Sequence, residues 1–186
     1  AVADGICKKM IYRHPHVFGS VQAATADQVL DNWETLKRAE KGQETDTDTL
    51  KAVARTLPAL WRAEKIQKKA AKSGFSWPDI SGAMDKLSEE QEELRTAVAE
   101  QSNIREELGD VLFAAVAVAR FAGIDPEEAL QEASDKYISR FSVMEAQTAR
   151  QGRKLADMTL EEMVQAWNRA KETQRNANVQ EDKKHE

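Results

Sequence analysis

The run Val111-Leu-Phe-Ala-Ala-Val-Ala-Val-Ala119 is apolar nearly all the way round a helix. A helix of that kind is stable in water only when other helices surround it, as at the centre of a bundle. The rest of the chain agrees. Gly and Pro, 8 and 4 of 186 residues, stand at roughly half their usual share, which argues against a turn-rich all-β fold. The strong helix formers Ala, Glu, Lys, Leu, Arg and Gln dominate. The fold class implied is all-α, an antiparallel helical bundle. At about half the length of a membrane span, Val111 to Ala119 is a core segment and not a transmembrane one.

Helix signals recur along the chain. Thr25-Ala-Asp-Gln28 has the form of a capping box and opens a helix through Val29, Leu30, Trp33 and Leu36 to about Ala39. Residues 42–56 include the polar, aperiodic stretch Gly42 to Thr49 and read as a flexible linker. Pro58 stands where a first-turn proline belongs, followed by an apolar side of Leu60, Trp61, Ala63, Ile66 and Ala70 that Gly74 ends. Phe75-Ser-Trp-Pro78 leads into a third helix to about Glu100. Ser102 caps a fourth, Asn103 to Ala122, and Asp125-Pro-Glu-Glu128 starts a fifth that reaches about Arg150. Thr159-Leu-Glu-Glu162 is a second capping box, before a helix with Met163, Ala166, Trp167 and Ala170 on one side. Residues 176–186 lack apolar periodicity and read as a disordered tail. Residues 57–175 form the main helical domain.

A net charge of −5 sets a low expectation for nucleic-acid binding. The single cysteine, Cys7, excludes an intramolecular disulfide and suits a reducing compartment. Together with the absence of a signal-like or membrane-spanning segment, this points to the cytoplasm. Cys7 itself reads as a buried or half-buried thiol. His14 and His16 flank Pro15 in a turn, and with only His185 besides them there is no zinc cluster.

The chemistry lies in the acids. On the third helix Leu87, Leu94 and Val98 define the apolar seam, and Glu90 and Glu93 fall along its edge. On the fourth, Glu107 shares a stripe with Val111, Ala114 and Val118, and Asp110 lies one turn further on. Thirteen residues separate Glu93 from Glu107, enough for one helix to end, turn and return antiparallel. Both carboxylate pairs then reach one level of the bundle. Four clustered acids repel one another and lose solvation unless a cation compensates them. All-oxygen ligands favour a hard ion, Mg²⁺ first and Mn²⁺ second, with water and phosphate oxygens completing its coordination. On the fifth helix Lys136 and Arg140 are an i, i+4 cation pair suited to phosphate, with Tyr137 and Phe141 turned to the core. Glu132 and Glu145 are their alternative partners. Trp77 and Trp167, beside helix starts, are core residues or stacking surfaces for a base.

Lys86-Leu-Ser-Glu-Glu-Gln-Glu-Glu93, Glu106-Glu-Leu-Gly-Asp-Val-Leu-Phe113 and Lys136-Tyr-Ile-Ser-Arg-Phe141 together resemble the signature of the MazG family of all-α nucleoside triphosphate pyrophosphohydrolases. The likeness covers about residues 1 to 172, in order, and includes Arg13-His-Pro-His-Val-Phe18 and Gly74-Phe-Ser-Trp77. It implies a homodimer that hydrolyses NTPs and dNTPs to the monophosphate and pyrophosphate. Glu90, Glu93, Glu107 and Asp110 match the catalytic metal ligands, with Glu106 an adjacent candidate. Lys86, Lys136 and Arg140 match residues that hold the triphosphate, and Trp167 one near the base. Glu89 is a further candidate, for substrate contact or as general base. Ser134 departs from the Asn usual there. Lys9-x-x-x-Arg13 parallels Lys136-x-x-x-Arg140, so residues 1–41 read as the remnant helix of an upstream repeat plus a connecting helix. The implied role is nucleotide-pool housekeeping. The competing reading is a non-catalytic helical dimer that senses nucleotides or serves as a scaffold. A ferritin-like di-iron bundle would need Glu-x-x-His, and no His lies between Val17 and Lys184.

Overall fold

The computed structural model describes residues 2–19 and 25–182, and all regular structure among them is helical. The chain divides into two compact units, Ala1–Gly123 and Ile124–Glu186. The division falls inside residues 57–175, which the sequence treats as one domain.

The first unit holds α1 (Val2–Arg13), α2 (Pro15–Phe18), α3 (Ala26–Glu40), α4 (Asp46–Lys51), α5 (Ala59–Lys72), α6 (Ile80–Glu100) and α7 (Ile104–Phe121). The most extensive packing is of α6 along α7; α7 also packs on α5, and α5 on α4. Residues 42–56 are not a featureless linker. Thr45 and Asp48 form a complete capping box that starts α4, and Thr49 and Val53 are buried. The alternation of Thr and Asp hid a cap in what looked like a polar loop. Asp79 caps α6 by accepting from the amides of Ser81 and Gly82, and Thr25 accepts from Gln28 N at the start of α3. In the α6–α7 turn, Gln101 and Asn103 both take left-handed backbone conformations, φ 55° and 51°. Asn103, not Ser102, is the residue at the N-cap of α7.

Helix α1 has no buried residue, and Cys7 is exposed rather than buried. An ion pair between Arg13 and Glu40 at 2.7 Å joins α1 to α3. His14 and His16 lie in the expected turn with ring centroids 5.6 Å apart. Helix α7 departs from expectation more consequentially. Ala114 and Val116 are buried, but Ile104, Leu108 and Leu112, spaced four residues apart, are exposed. The all-round apolar sequence therefore buries one face and leaves another open.

The second unit is a helical hairpin of α8 (Pro126–Arg150) and α9 (Leu160–Asp182), joined through a short 3₁₀ turn at Leu155–Asp157. Met144 of α8 packs with Ala166 and Ala170 of α9, and Val143, Leu155, Met158 and Trp167 pack around that cluster. Tyr137 and Phe141 do not face the core: they are 58% and 40% exposed, and Tyr137 lies 4.8 Å from the Trp167 ring. The core of this unit lies further along α8, at Met144 and Thr148. Helix α9 runs to Asp182, through residues expected to be disordered, while 183–186 lie outside the described residues.

The Thr159 capping box forms as the sequence indicates. Thr159 N donates to Glu162 at 2.9 Å, and Glu162 N to Thr159 Oγ1 at 3.3 Å. Arg153 adds a two-pronged contact to the same carboxylate at 2.8 and 3.1 Å. The Arg153 guanidinium and the Thr159 amide hold the Glu162 carboxyl down to about 2. Its stabilising effect is therefore complete above the ordinary Glu range and is lost as the pH falls from about 4.5 toward 2. In acid titrations monitored by circular dichroism, Glu162→Gln should be less stable than the wild type at pH 7, and the difference should vanish by about pH 2. A difference that persisted at pH 2 would contradict the assignment.

Candidate active site

Helices α6 and α7 are where the acids meet. Carboxylate oxygens of Glu90, Glu93 and Glu107 lie within 4.8 Å of one another. Glu90 sits deeper than its sequence position suggests. The buried residues of α6 are Ala83, Glu90 and Ala97, while Leu87 and Leu94 are only half-buried and Val98 is exposed. Ala83 and Ala97 stand seven residues to either side of Glu90, so Glu90 lies at the centre of the buried face of α6.

At 6% exposure Glu90 would be costly as a lone charge. Lys86 compensates it, with its ammonium 2.7 Å from Glu90 and 2.7 Å from Glu89. Those two acids raise the Lys86 pKa and keep it charged. Glu93 shows the opposite strain: its hydrogen bond to Glu90, partial loss of solvent and repulsion from Glu90 push its carboxyl above the usual range. The cluster therefore holds more negative charge than Lys86 neutralises. Its oxygen-only donors and mutual spacing fit a hard divalent cation.

Glu107 is half-buried within this group, whereas Glu106, its neighbour, is exposed and outside it. Asp110 is not part of the three-acid group. It lines the adjoining cavity of about 500 Å³, together with Lys86 and Glu90. Lys136, Arg140 and Trp167 belong to the second unit. There Lys136 is exposed and Arg140 half-buried, its Nε buried without a hydrogen-bond partner. Sequence reasoning missed Gln67, a buried residue of α5 whose Nε2 donates to the carbonyl of Phe113 at 2.8 Å and so ties α5 to α7. A polar residue in the apolar row between Ile66 and Ala70 was the available signal.

Paired acids on adjacent helices, centred on one buried glutamate, define a class of site: an acidic group that could hold a divalent cation. Comparison with known proteins makes the class specific. Residues 80–144 match the model of the MazG nucleotide pyrophosphohydrolase domain. The nucleoside triphosphate pyrophosphohydrolase of Escherichia coli K12 is 39% identical over 174 residues, covering 91% of this chain and 66% of that protein. The nucleoside triphosphate pyrophosphohydrolase/pyrophosphatase MazG of Thermotoga maritima is 37% identical over 164 residues, 88% of this chain and 62% of that protein. YabN of Bacillus subtilis is 49% identical over 177 residues, 94% of this chain and 36% of that protein. The chain belongs to the MazG family. It spans just under two thirds of the length of the Escherichia coli relative and about a third of YabN.

Proposed function

We propose that this protein hydrolyses nucleoside triphosphates, ribo and deoxy, to the monophosphate and pyrophosphate in a Mg²⁺-dependent reaction, with Mn²⁺ as the second choice of ion. The observation that carries the reading is the meeting of Glu90, Glu93 and Glu107 within 4.8 Å beside a cavity that Asp110 also lines. The names of the Escherichia coli and Thermotoga maritima relatives support the same substrate class and reaction.

Glu90, Glu93, Glu107 and Asp110 would hold the ion, with Glu106 beside them. When bound, a divalent cation supplies charge neutralisation for phosphate oxygens and lowers the pKa of a coordinated water. The chain's own residues supply the rest. Glu90, buried and already tied to Lys86, fixes the position of the charge in a partly dry setting, where electrostatic interactions are stronger than in water. We assign Lys86 to a substrate phosphate oxygen as well, its ammonium being held at the rim of the cavity by Glu89 and Glu90. Glu89, exposed and acidic, is the candidate to accept a proton or contact substrate. On the second unit, Lys136 and Arg140 share one side of α8 and are assigned to phosphate, and Trp167 to the base.

The exposed line of Ile104, Leu108 and Leu112 supports a second copy of the chain as partner. A cytoplasmic role in nucleotide-pool housekeeping fits this chemistry, and among the described residues no helix is long and apolar enough to cross a membrane. The decisive assay incubates the protein with the standard NTPs and dNTPs in Mg²⁺ and resolves the products. Pyrophosphate and monophosphate in equal amounts are expected. Diphosphate with inorganic phosphate would overturn the site of cleavage, and nucleotide-dependent stabilisation without turnover would favour the sensor reading.

A further inference from the structure

The turn between α1 and α2 holds two of the chain's three histidines, and the candidate active site uses neither. His14 and His16 flank Pro15, whose fixed φ stiffens the link between them. Both rings are half-buried, with centroids 5.6 Å apart and planes tilted by 55°. Two imidazoles that share one tetrahedral ion, each ligating nitrogen about 2 Å from it, have ring centres roughly 5 Å apart. The pair stands near ligating separation in the folded chain.

His14 is also prepared chemically. Its Nδ1 lies 2.8 Å from the carbonyl oxygen of Met10. A carbonyl can only accept, so Nδ1 carries the proton and, in the neutral ring, Nε2 keeps its lone pair. Metal-binding histidines commonly have this arrangement, one ring nitrogen donating to a carbonyl and the other free to ligate. Among the described residues no hydrogen bond engages His14 Nε2 or either ring nitrogen of His16. The neighbouring cation, Arg13, is offset by Glu40 at 2.7 Å. The bond to Met10 also sets His14 against the C-terminal end of α1, where the helix dipole favours positive charge.

We propose that His14 Nε2 and His16 form a second metal site, suited to a borderline divalent cation such as Zn²⁺ and distinct from the oxygen-only acidic group on α6 and α7. Two protein ligands fall short of the four of a closed structural zinc centre, so water completes the coordination. The ion would act on α1, a helix of 12 residues with none buried, which is close to the lower limit for a helix without packing. An ion that binds only the folded turn stabilises that turn by mass action.

The test titrates Zn²⁺ calorimetrically into the full chain in the presence of millimolar Mg²⁺, which competes for the acids. A parallel titration of Cys7→Ser removes the exposed thiol as a rival ligand. An ion of micromolar affinity is expected in both. His14→Ala and His16→Ala should each weaken its binding by at least about tenfold. His14→Ala also removes the bond to Met10, so His16→Ala carries the test should α1 unravel. Long-range proton–nitrogen spectra of the imidazoles read the same event at the atoms. Zn²⁺ should shift Nε2 of His14 and one nitrogen of His16, leave Nδ1 of His14 protonated and leave His185 unmoved. Unchanged affinity in His16→Ala, loss of binding in Cys7→Ser, shifts confined to His185, or no binding below millimolar Zn²⁺ would each overturn the site.

Discussion

Glu90→Gln should abolish pyrophosphate release while leaving the fold intact. Even the neighbours that merely orient a metal ligand cost roughly 10–100-fold when mutated, so removing the charge of the central buried carboxylate should cost more than about 100-fold in kcat/KM at saturating Mg²⁺. The structure separates this loss from misfolding. Glutamine keeps the shape of the side chain between Ala83 and Ala97, and Lys86 retains Glu89 at 2.7 Å. Thermal melts without metal should therefore be near those of the wild type. With metal they should part: a cation at 100 times its Kd stabilises a protein by about 2.7 kcal/mol, and the variant should gain much less. Full activity in Glu90→Gln, or an undiminished Mg²⁺ shift, would remove Glu90 from the metal site.

The second large effect falls on α8 and α9. Met144→Ala should destabilise the second unit by roughly 2–5 kcal/mol, the range for truncating a large core side chain. Met144 is the largest side chain in a small buried cluster whose other members, Ala166 and Ala170, are too short to close a gap. Met144→Leu, which nearly conserves volume, should cost less than about 1.5 kcal/mol. Hydrogen exchange offers the check. Amides of α8 and α9 should lose protection in Met144→Ala, with α6 and α7 less affected; equal losses throughout would show that the two units unfold together.

Much of this architecture was legible because helices announce their ends chemically. The caps at Thr159 and Asp125 form as written, and the spacing of Glu90, Glu93 and Glu107 on two adjacent helices indicated the cluster in advance. The features that the sequence obscured were matters of rotation and neighbours. Large apolar residues mark the seam of a helix in sequence, yet on α6 the small ones, Ala83 and Ala97, set the buried line and moved Glu90 inward. Tyr137 and Phe141 looked like core residues because nothing local says how far along α8 its partner α9 makes its closest packing. Thr45 and Asp48 were overlooked because a Thr-Asp alternation resembles a polar loop. Gln67 stood out in the sequence only as a polar residue in an apolar row, since its use depends on a carbonyl 46 residues away.

The turn between α6 and α7 has a consequence for how this family member can change over time. Within it the Asn103 carbonyl accepts from the amides of Glu106 and Glu107, a backbone contact that does not depend on the side chain, and the two left-handed positions would accept Gly or Asn at little cost. Their identity is therefore free in a way their number is not. One added residue carried into α7 would rotate the remainder of that helix by about 100° and shift it by about 1.5 Å, moving Glu107 away from Glu90 and Glu93. The turn behaves as a spacer of fixed length and tolerant spelling: Gly or Asn at its left-handed positions should pass unnoticed, while a single inserted or deleted codon should abolish the proposed hydrolysis.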